Sequence, residues 1–286
     1  MELIVRVPGS CGELLQGWDE RGEPFLLTAP IDRYAAVTIR DDGRQARHIG
    51  AKGLAALQAV SAFLGVKEYP YSLYQTASLP AGKGMASSSA DIGAVIIGVA
   101  KSLGHTLSGQ DVAALAASIE PTDGVFCQGL CRLNYLTGTI HHIYPVVPAL
   151  RMAIVDTGGT IDTVAFHDRS QEAASKRPVS RGLRLLQGQH WSAETLARAA
   201  TYSALDNQEF LYKEAVPKLV PLLDSLGALG INAAHSGTVI GILFPENLAV
   251  PVIERTVTQA LASLGTTAQY RETVLLRSGG YTVTYR

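Results

Sequence analysis

The sequence predicts a mixed α/β chain in two halves, and three observations predict it. Short β-branched runs alternate with stretches of helical spacing along most of the chain. Of the 286 residues, 47% are hydrophobic and 17% charged, enough apolar material for one large core or two closely packed ones. The proline-bounded stretch Pro145–Pro148 marks the boundary, dividing residues 1–148 from residues 149–286.

Leu3–Val7 and Tyr34–Ile39 read as strands, with Pro8–Gly17 as a polar, glycine-rich loop between them. Gly53–Leu64 carries Leu54, Leu57, Ala59, Val60, Phe63 and Leu64 at helical spacing, and Tyr71–Ala77 reads as a strand. A Gly/Ser-rich segment then feeds a helix over Ile92–Leu103, closed by Gly104. Ser108 opens S-x-x-D, a variant of the capping box, ahead of Val112, Leu115, Ala116 and Ile119. Pro121 must end that helix. Val125–Leu136 and Gly138–Tyr144 read as paired strands around Thr137-Gly138. Met152–Asp156 is a strand, followed by helical patterns through Asp224. Asn232–Phe244 is a second Gly/Ser loop feeding an apolar strand. Ala249–Leu264 is a helix with Pro251 in its first turn, where proline is tolerated.

Charge and hydropathy exclude several classes. Lys and Arg total 24 against 25 Asp and Glu, a net charge of −1, so no basic surplus exists for a nucleic-acid partner. Small anionic ligands stay open, because local backbone dipoles bind them without net charge. The longest apolar run, Ile92–Ala100, is far short of the ~20 residues of a membrane span, so no membrane partner is expected. The N-terminus has no basic n-region or long apolar h-region, so no signal peptide is expected. Three cysteines, Cys11, Cys127 and Cys131, make no disulfide framework, and a cytoplasmic home is the expectation.

The strongest chemical signal is P-A-G-K-G-M-A-S-S-S-A-D-I, Pro80 to Ile92. Gly82, Gly84 and Ala86 let a backbone approach a ligand, and Ser87–Ser89 lead into a helix. A helix N-terminus leaves N–H donors unpaired and carries about +0.5 of an elementary charge. From the residues alone the segment is either a phosphate cradle or a serine-capped helix start after a flexible loop. It is neither a Walker loop nor a full G-x-G-x-x-G fingerprint. Glu120 and Asp123 form a second constellation. A carboxylate at the end of a helix opposes its dipole, at about 0.3–1 kcal/mol if exposed, and a nearby cation removes that cost. The plainer reading is an acidic surface turn.

The Pro80–Ile92 segment resembles motif 2 of the GHMP kinases, roughly P-x-G-x-G-L-G-S-S-A, with Met85 for the usual leucine and Ala86 for the usual glycine. P-G-S-C-G-E-L-L-Q-G, Pro8 to Gly17, sits where motif 1 belongs, and N-A-A-H-S-G-T-V-I-G-I-L, Asn232 to Leu243, looks like motif 3. Order and spacing match along nearly the whole chain. Together with I-E-P-T-D-G-V-F, these strings are similar to the L-threonine kinase branch, which serves the aminopropanol arm of adenosylcobalamin. Motif 1 departs from the wider family in having Ser10 where Lys or Arg usually follows P-G.

The resemblance implies the two-domain α+β GHMP fold: an N-terminal domain with a left-handed β-α-β unit, against the usual hand, and a ferredoxin-like C-terminal domain. It implies ATP on the loop Pro80, Ala81, Gly82, Lys83, Gly84, Met85, Ala86, Ser87, Ser88 and Ser89. It implies Mg²⁺ on Ser88 and Glu120, and Asp123 facing the acceptor hydroxyl. Ser10, Gly12, Glu13, Asp123, His235, Ser236 and Gly237 would meet a small-molecule substrate, L-threonine first. Another small alcohol such as homoserine, or a non-catalytic binding protein on the same fold, remains the alternative. Oligomeric state is not legible. Asp91 is read as a dipole-favourable acid in the first turn of its helix. Asp32-Arg33 and Asn207-Gln208 are read as structural or as holding an amino-acid head group. His141-His142 and Cys127-x₃-Cys131 lack metal-site spacing, and Lys101 reads as solvated.

Overall fold

The computed structural model describes residues 1–159, 180–186, 188 and 190–286. The strands are β1 (Glu2–Trp18), β2 (Pro24–Arg40), β3 (Arg47–His48), β4 (Ser72–Ala77), β5 (Leu130–Leu133), β6 (Ile140–Tyr144), β7 (Leu150–Asp156), β8 (Gly230–Ala233), β9 (Val239–Pro245), β10 (Gln269–Leu275) and β11 (Thr282–Tyr285). The described α-helices are α1 (Ala51–Phe63), α2 (Ser87–Ser102), α3 (Gly109–Ala117), α4 (Arg181–Leu185), α5 (Ala193–Asp206), α6 (Ala215–Leu219), α7 (Leu223–Leu226) and α8 (Val250–Ser263). Among the described residues no helix is long and apolar enough to cross a membrane.

The strands lie in the order β10-β7-β9-β8-β1-β2-β4-β3, with β11 on β1 and β5-β6 beside β2. β3-α1-β4 is the expected β-α-β unit, its two strands parallel. In the second half β10, β7, β9 and β8 stand fourth-first-third-second and antiparallel, the expected ferredoxin-like plan. β8 joins β1 through a single register pair, Glu13 opposite Ala233, while β11 crosses back from the second half to pair with the start of β1. α2 forms because its apolar residues come all round: Ile92, Ile96 and Val99 are fully buried against β1 and β2. Each such side chain contributes about 1.5–3 kcal/mol. A second apolar cluster sits at the junction itself and gathers Cys11 and Leu14 from β1, Met85 from the small-residue loop and Ala234 after β8. Packing thus draws all three motif segments to one place.

Several expected boundaries move. Pro8–Gly17 is not a loop but the second half of β1, paired with β2 through register shifts at Pro8/Ser10, Ser10/Glu13 and Glu13/Leu15. Bulges let proline and a left-handed Gly12 (φ 62°) stay in a strand. α2 begins at Ser87 rather than Ile92, which puts Asp91 in its second turn instead of the first. α3 ends at Ala117 behind the expected Ser108/Asp111 capping box, so Glu120 stands past the helix rather than at its end. The strands expected over Val125–Leu136 and Gly138–Tyr144 shorten to β5 and β6. Asn232 and Ala233 belong to β8, so the second Gly/Ser loop is the tight turn between β8 and β9. β10 and β11 were not expected. The helical pattern over 160–179 lies outside the described residues.

Candidate active site

The small-residue loop hangs between β1 and the turn that leads from β8 into β9. Ser10 N–H donates to Met85 O at 3.0 Å and Gly12 N–H to Gly84 O at 3.0 Å. From the other side, Thr238 and Val239 N–H donate to Lys83 O at 2.9 and 3.0 Å. The loop's carbonyls therefore face its anchors. Gly82, Gly84 and Ala86 are left-handed, at φ 68°, 80° and 52°. A Cβ on Gly12 would come within 2.6 Å of Ala234 N, and one on Gly84 would collide with Ala234 Cβ, so both glycines are needed for the close approach. Ala86 occupies the N-cap of α2 without a side-chain cap, and the first backbone bond back along the helix is Ala90 N–H to Ala86 O at 2.9 Å. The serines are inside the helix, so the reading as a serine-capped start gives way to an uncapped one. The N–H groups of Ser87, Ser88 and Ser89 are left for a ligand, at the positive end of a sixteen-residue helix.

A cavity of about 70 Å³ lies in front of that helix end, lined by Gly82, Gly84–Ser89, Glu13, Lys52, Glu120, Pro121, Asp123 and Ser236. Ser88 Oγ donates to Glu120 Oε1, while Lys52 Nζ sits 2.6 Å from Glu120 Oε2. Asp123 is tied to the same helix: its N–H donates to Ser89 Oγ at 2.9 Å, and Ser89 Oγ donates to Asp123 Oδ2 at 3.1 Å. Thr28 Oγ1 donates to Asp123 Oδ1 at 3.4 Å. Burial, and then the negative charge of Glu13, push the Asp123 carboxyl up to about 7 against those hydroxyl bonds. Glu13 Oε2 accepts from His235 N–H at 2.7 Å and lies 3.3 Å from His235 Nδ1.

Of the expected residues, Gly82, Gly84, Met85, Ala86, Ser87, Ser88, Ser89, Glu13, Glu120, Asp123 and Ser236 come together on this cavity. Pro80 and Ala81 are exposed at the head of the loop. Lys83 turns away to Asp156, 3.0 Å from its Oδ2. Burial would raise the Asp156 carboxyl, but hydrogen bonds from Lys83, Gly158 N–H, Thr238 and Arg271 hold it down at about 2. Gly237 packs on Gly84. His235 is buried behind Glu13, and Ser10 is wholly buried with its Oγ lacking a partner among the described residues. Asp32 accepts from Leu275 N–H, Arg33 pairs with Glu272, and Gln208 holds Lys213 N–H, all structural bonds. Lys101 reaches Thr106, and Cys127 and Cys131 are buried free thiols.

Lys52 was missed. It stands in the first turn of α1, where a cation opposes the helix dipole, and that mirror of the Glu120 argument was the available signal. A second cavity of about 150 Å³ shares Lys52 and Ser88 with the first and is lined by Ile49, Gly50, Gln75, Asp91 and Val95. There Asp91 Oδ1 is buried without a partner among the described residues, and burial pushes its carboxyl up to about 6.

Residues 51–129, which carry Lys52, the loop, Glu120 and Asp123, match the GHMP kinases N terminal domain. An L-threonine kinase of Salmonella typhimurium is 30% identical over 251 residues, covering 84% of this chain and 82% of that protein. The chain belongs to the GHMP kinase family. It is an ATP-dependent kinase of the L-threonine kinase branch. An L-threonine kinase of Citrobacter freundii is 29% identical over 255 residues, 85% of this chain and 87% of that protein. The fold of this GHMP kinase is also that of a solved mevalonate kinase, with a TM-score of 0.68 at 13% identity over 96% of this chain and 99% of the other.

Proposed function

We propose that this kinase transfers the γ-phosphoryl group of ATP to the hydroxyl of L-threonine, giving O-phospho-L-threonine and ADP for the aminopropanol arm of adenosylcobalamin. The observation that carries the reading is the likeness to two L-threonine kinases over most of the chain. The site lies where residues 1–148 and 149–286 meet, the boundary we assign to the two domains.

The loop suits a triphosphate, because its carbonyls are turned to their anchors and the N–H groups of Ser87, Ser88 and Ser89 are left at a helix N-terminus. The donor set also suits Mg²⁺. Ser88 Oγ and the Glu120 carboxylate are adjacent hard oxygens, and Mg²⁺ takes one or two such groups with phosphate oxygens and water. Bound there, it supplies positive charge to the phosphates. Lys52 holds the other Glu120 oxygen. Asp123 orients the threonine hydroxyl and takes its proton as the new Oγ–Pγ bond forms. The bond from Pγ to its bridging oxygen breaks, and ADP leaves with that electron pair. A carboxylate whose affinity for protons lies near neutrality suits this transfer. Positioning and charge stabilisation carry most of the rate. Of the residues assigned to the acceptor, Glu13, Asp123 and Ser236 line the cavity, and Ser10, Gly12, His235 and Gly237 support it from behind.

ADP release against a panel of alcohols tests the reading. L-threonine should lead, with L-serine about 10–200-fold behind for want of one methyl group. Homoserine and D-threonine should fall near background, since each displaces the hydroxyl from Asp123. Homoserine, mevalonate or galactose outrunning L-threonine overturns the acceptor.

A further inference from the structure

The cavity is lined by three carboxylates, Glu13, Glu120 and Asp123, and by one cation, Lys52. A nucleotide still adds net negative charge with its Mg²⁺ bound. Glu120 has Lys52 against it, and Asp123 is held by two hydroxyl donors. Glu13 is 5% exposed, and the buried ammonium of Lys213 acts on it through charge while donating its hydrogen bond to Ala234 O, so the carboxylate still lacks a full set of hydrogen-bond partners, which is costly. Its Oε2 is taken by His235, and among the described residues Oε1 has no hydrogen-bond partner, which leaves it to the cavity that Glu13 lines.

Glu13 is also aimed. Gln16 N–H donates to Ser203 Oγ at 3.0 Å, and Ser203 Oγ meets His235 Nε2 at 3.2 Å. Among the described residues His235 Nε2 is the acceptor within reach of the Ser203 hydroxyl proton, so the ring proton stands on Nδ1. From there it faces Glu13 Oε2 at 3.3 Å and Ala233 O at 3.1 Å. The chain leaves β1 at Gln16, crosses α5 and the turn after β8, and returns to β1 at Glu13. Lys213 closes the far side of that turn, its buried ammonium donating to Ala234 O at 2.6 Å.

We infer that Glu13 is the subsite for the ammonium group of the acceptor, and that His235 and Ser203 are positioning residues that hold its carboxylate there. The inference rests on the reading of the acceptor as an amino acid and deepens it. The register supports a compact acceptor. Glu13 pairs with Thr28 across β1 and β2, and Thr28 donates to Asp123. The ammonium partner and the hydroxyl partner are thus one cross-strand pair apart, which suits a vicinal amino alcohol. An anionic acceptor lacking the ammonium is repelled by the three carboxylates, and a neutral polyol gains nothing from them.

Steady-state kinetics on the whole enzyme test this with L-threonine, 1-amino-2-propanol, which lacks the carboxylate, and 3-hydroxybutanoate, which lacks the ammonium. The wild type should use the first two and discriminate against the third by at least about 100-fold. His235→Ala and Ser203→Ala should raise KM for both amino alcohols on the order of 10- to 100-fold, while KM for ATP moves less than about twofold. His235→Asn, whose amide reaches the Nδ1 position, should restore most of the loss. Should His235→Ala fail to fold, Ser203→Ala and His235→Asn carry the test alone. Glu13→Gln should remove most of the discrimination against 3-hydroxybutanoate. Equal use of L-threonine and 3-hydroxybutanoate by the wild type overturns the inference, as does a rise in ATP KM matching that of the acceptor. If homoserine proves the preferred acceptor, the L-threonine reading fails. The ammonium subsite then stands on a raised homoserine KM in Glu13→Gln and falls without it. Preference for an amine-free alcohol overturns both.

Discussion

Asp123 is buried among hydroxyl donors with Glu13 near it, and both its chemistry and its cost follow from that placement. To take the acceptor's proton as proposed its carboxyl must be ionised, so kcat should fall as the pH drops below about 7. Asp123→Asn should lower kcat by about 10²–10⁴-fold and abolish that acid limb in the residual rate. The stability sign is opposite. A folded-state value raised above 3.8 means that the native state holds a proton the unfolded chain has lost, so stability falls as pH rises through that window. The same variant should therefore melt higher than the wild type at pH 8, and the difference should shrink toward pH 4. A melting difference that does not change with pH would contradict the burial argument. Ser88→Ala and Glu120→Gln address the metal. Both should cut turnover and shift the Mg²⁺ titration to higher concentration with an unchanged circular dichroism spectrum. Unaltered Mg²⁺ dependence in both would remove the pair from the metal site.

At the scale of elements, the small-residue loop is held as an insert between β1 and the turn after β8. Its carbonyls bond to both, and Lys83 reaches on to Asp156 at the end of β7. Gly84 combines a left-handed backbone at φ 80° with a Cβ position already filled by Ala234. Gly22 has the same backbone at φ 76° with open space around it. Gly22→Ala should then cost only the conformational strain, about 1–2 kcal/mol. Gly84→Ala should cost more and also raise KM for ATP, because the loop must leave its seat. Thermal melts and nucleotide kinetics on the two variants compare strain with strain plus displacement. Equal melting losses and unchanged ATP kinetics would mean that the loop does not depend on this seat.

Over the whole molecule, the chain end completes the sheet on which the site is built. β11 pairs with β1 from Leu3↔Tyr285 to Arg6↔Thr282, and β1 continues to Glu13 at the junction of the halves. Removing residues 282–286 strips a partner from a strand whose alternate side chains, Leu3, Val5 and Val7, are core. The truncated protein should melt at least about 4 °C lower and aggregate through the bared edge. Melting and light scattering would detect both, and an unchanged melting temperature would show β11 to be an ornament of the sheet.

What local chemistry specifies was legible in the sequence. The loop before α2 shows in its small residues and the helix behind them, and the start of α3 shows in Ser108 and Asp111 three residues apart. α1, α2 and α8 show in the spacing of their apolar residues, because these signals lie within a turn or two of chain. What depends on partners far along the chain was not legible. Pro8–Gly17 reads as a loop until β2 pairs with it and bulges absorb its proline and glycine. Lys52 gains a role only when α1 packs beside α2 and brings it to Glu120. Ser203 bonds to Gln16 across 187 residues, and His235 to Glu13 across 222. The sequence by itself determined the small-residue loop and the helix start behind it, whose donors are backbone groups set by local conformation. Only the tertiary structure decided how the Glu13 and Asp123 carboxylates are held, because side-chain hydrogen bonds between distant segments exist only once the sheet has brought the strands together.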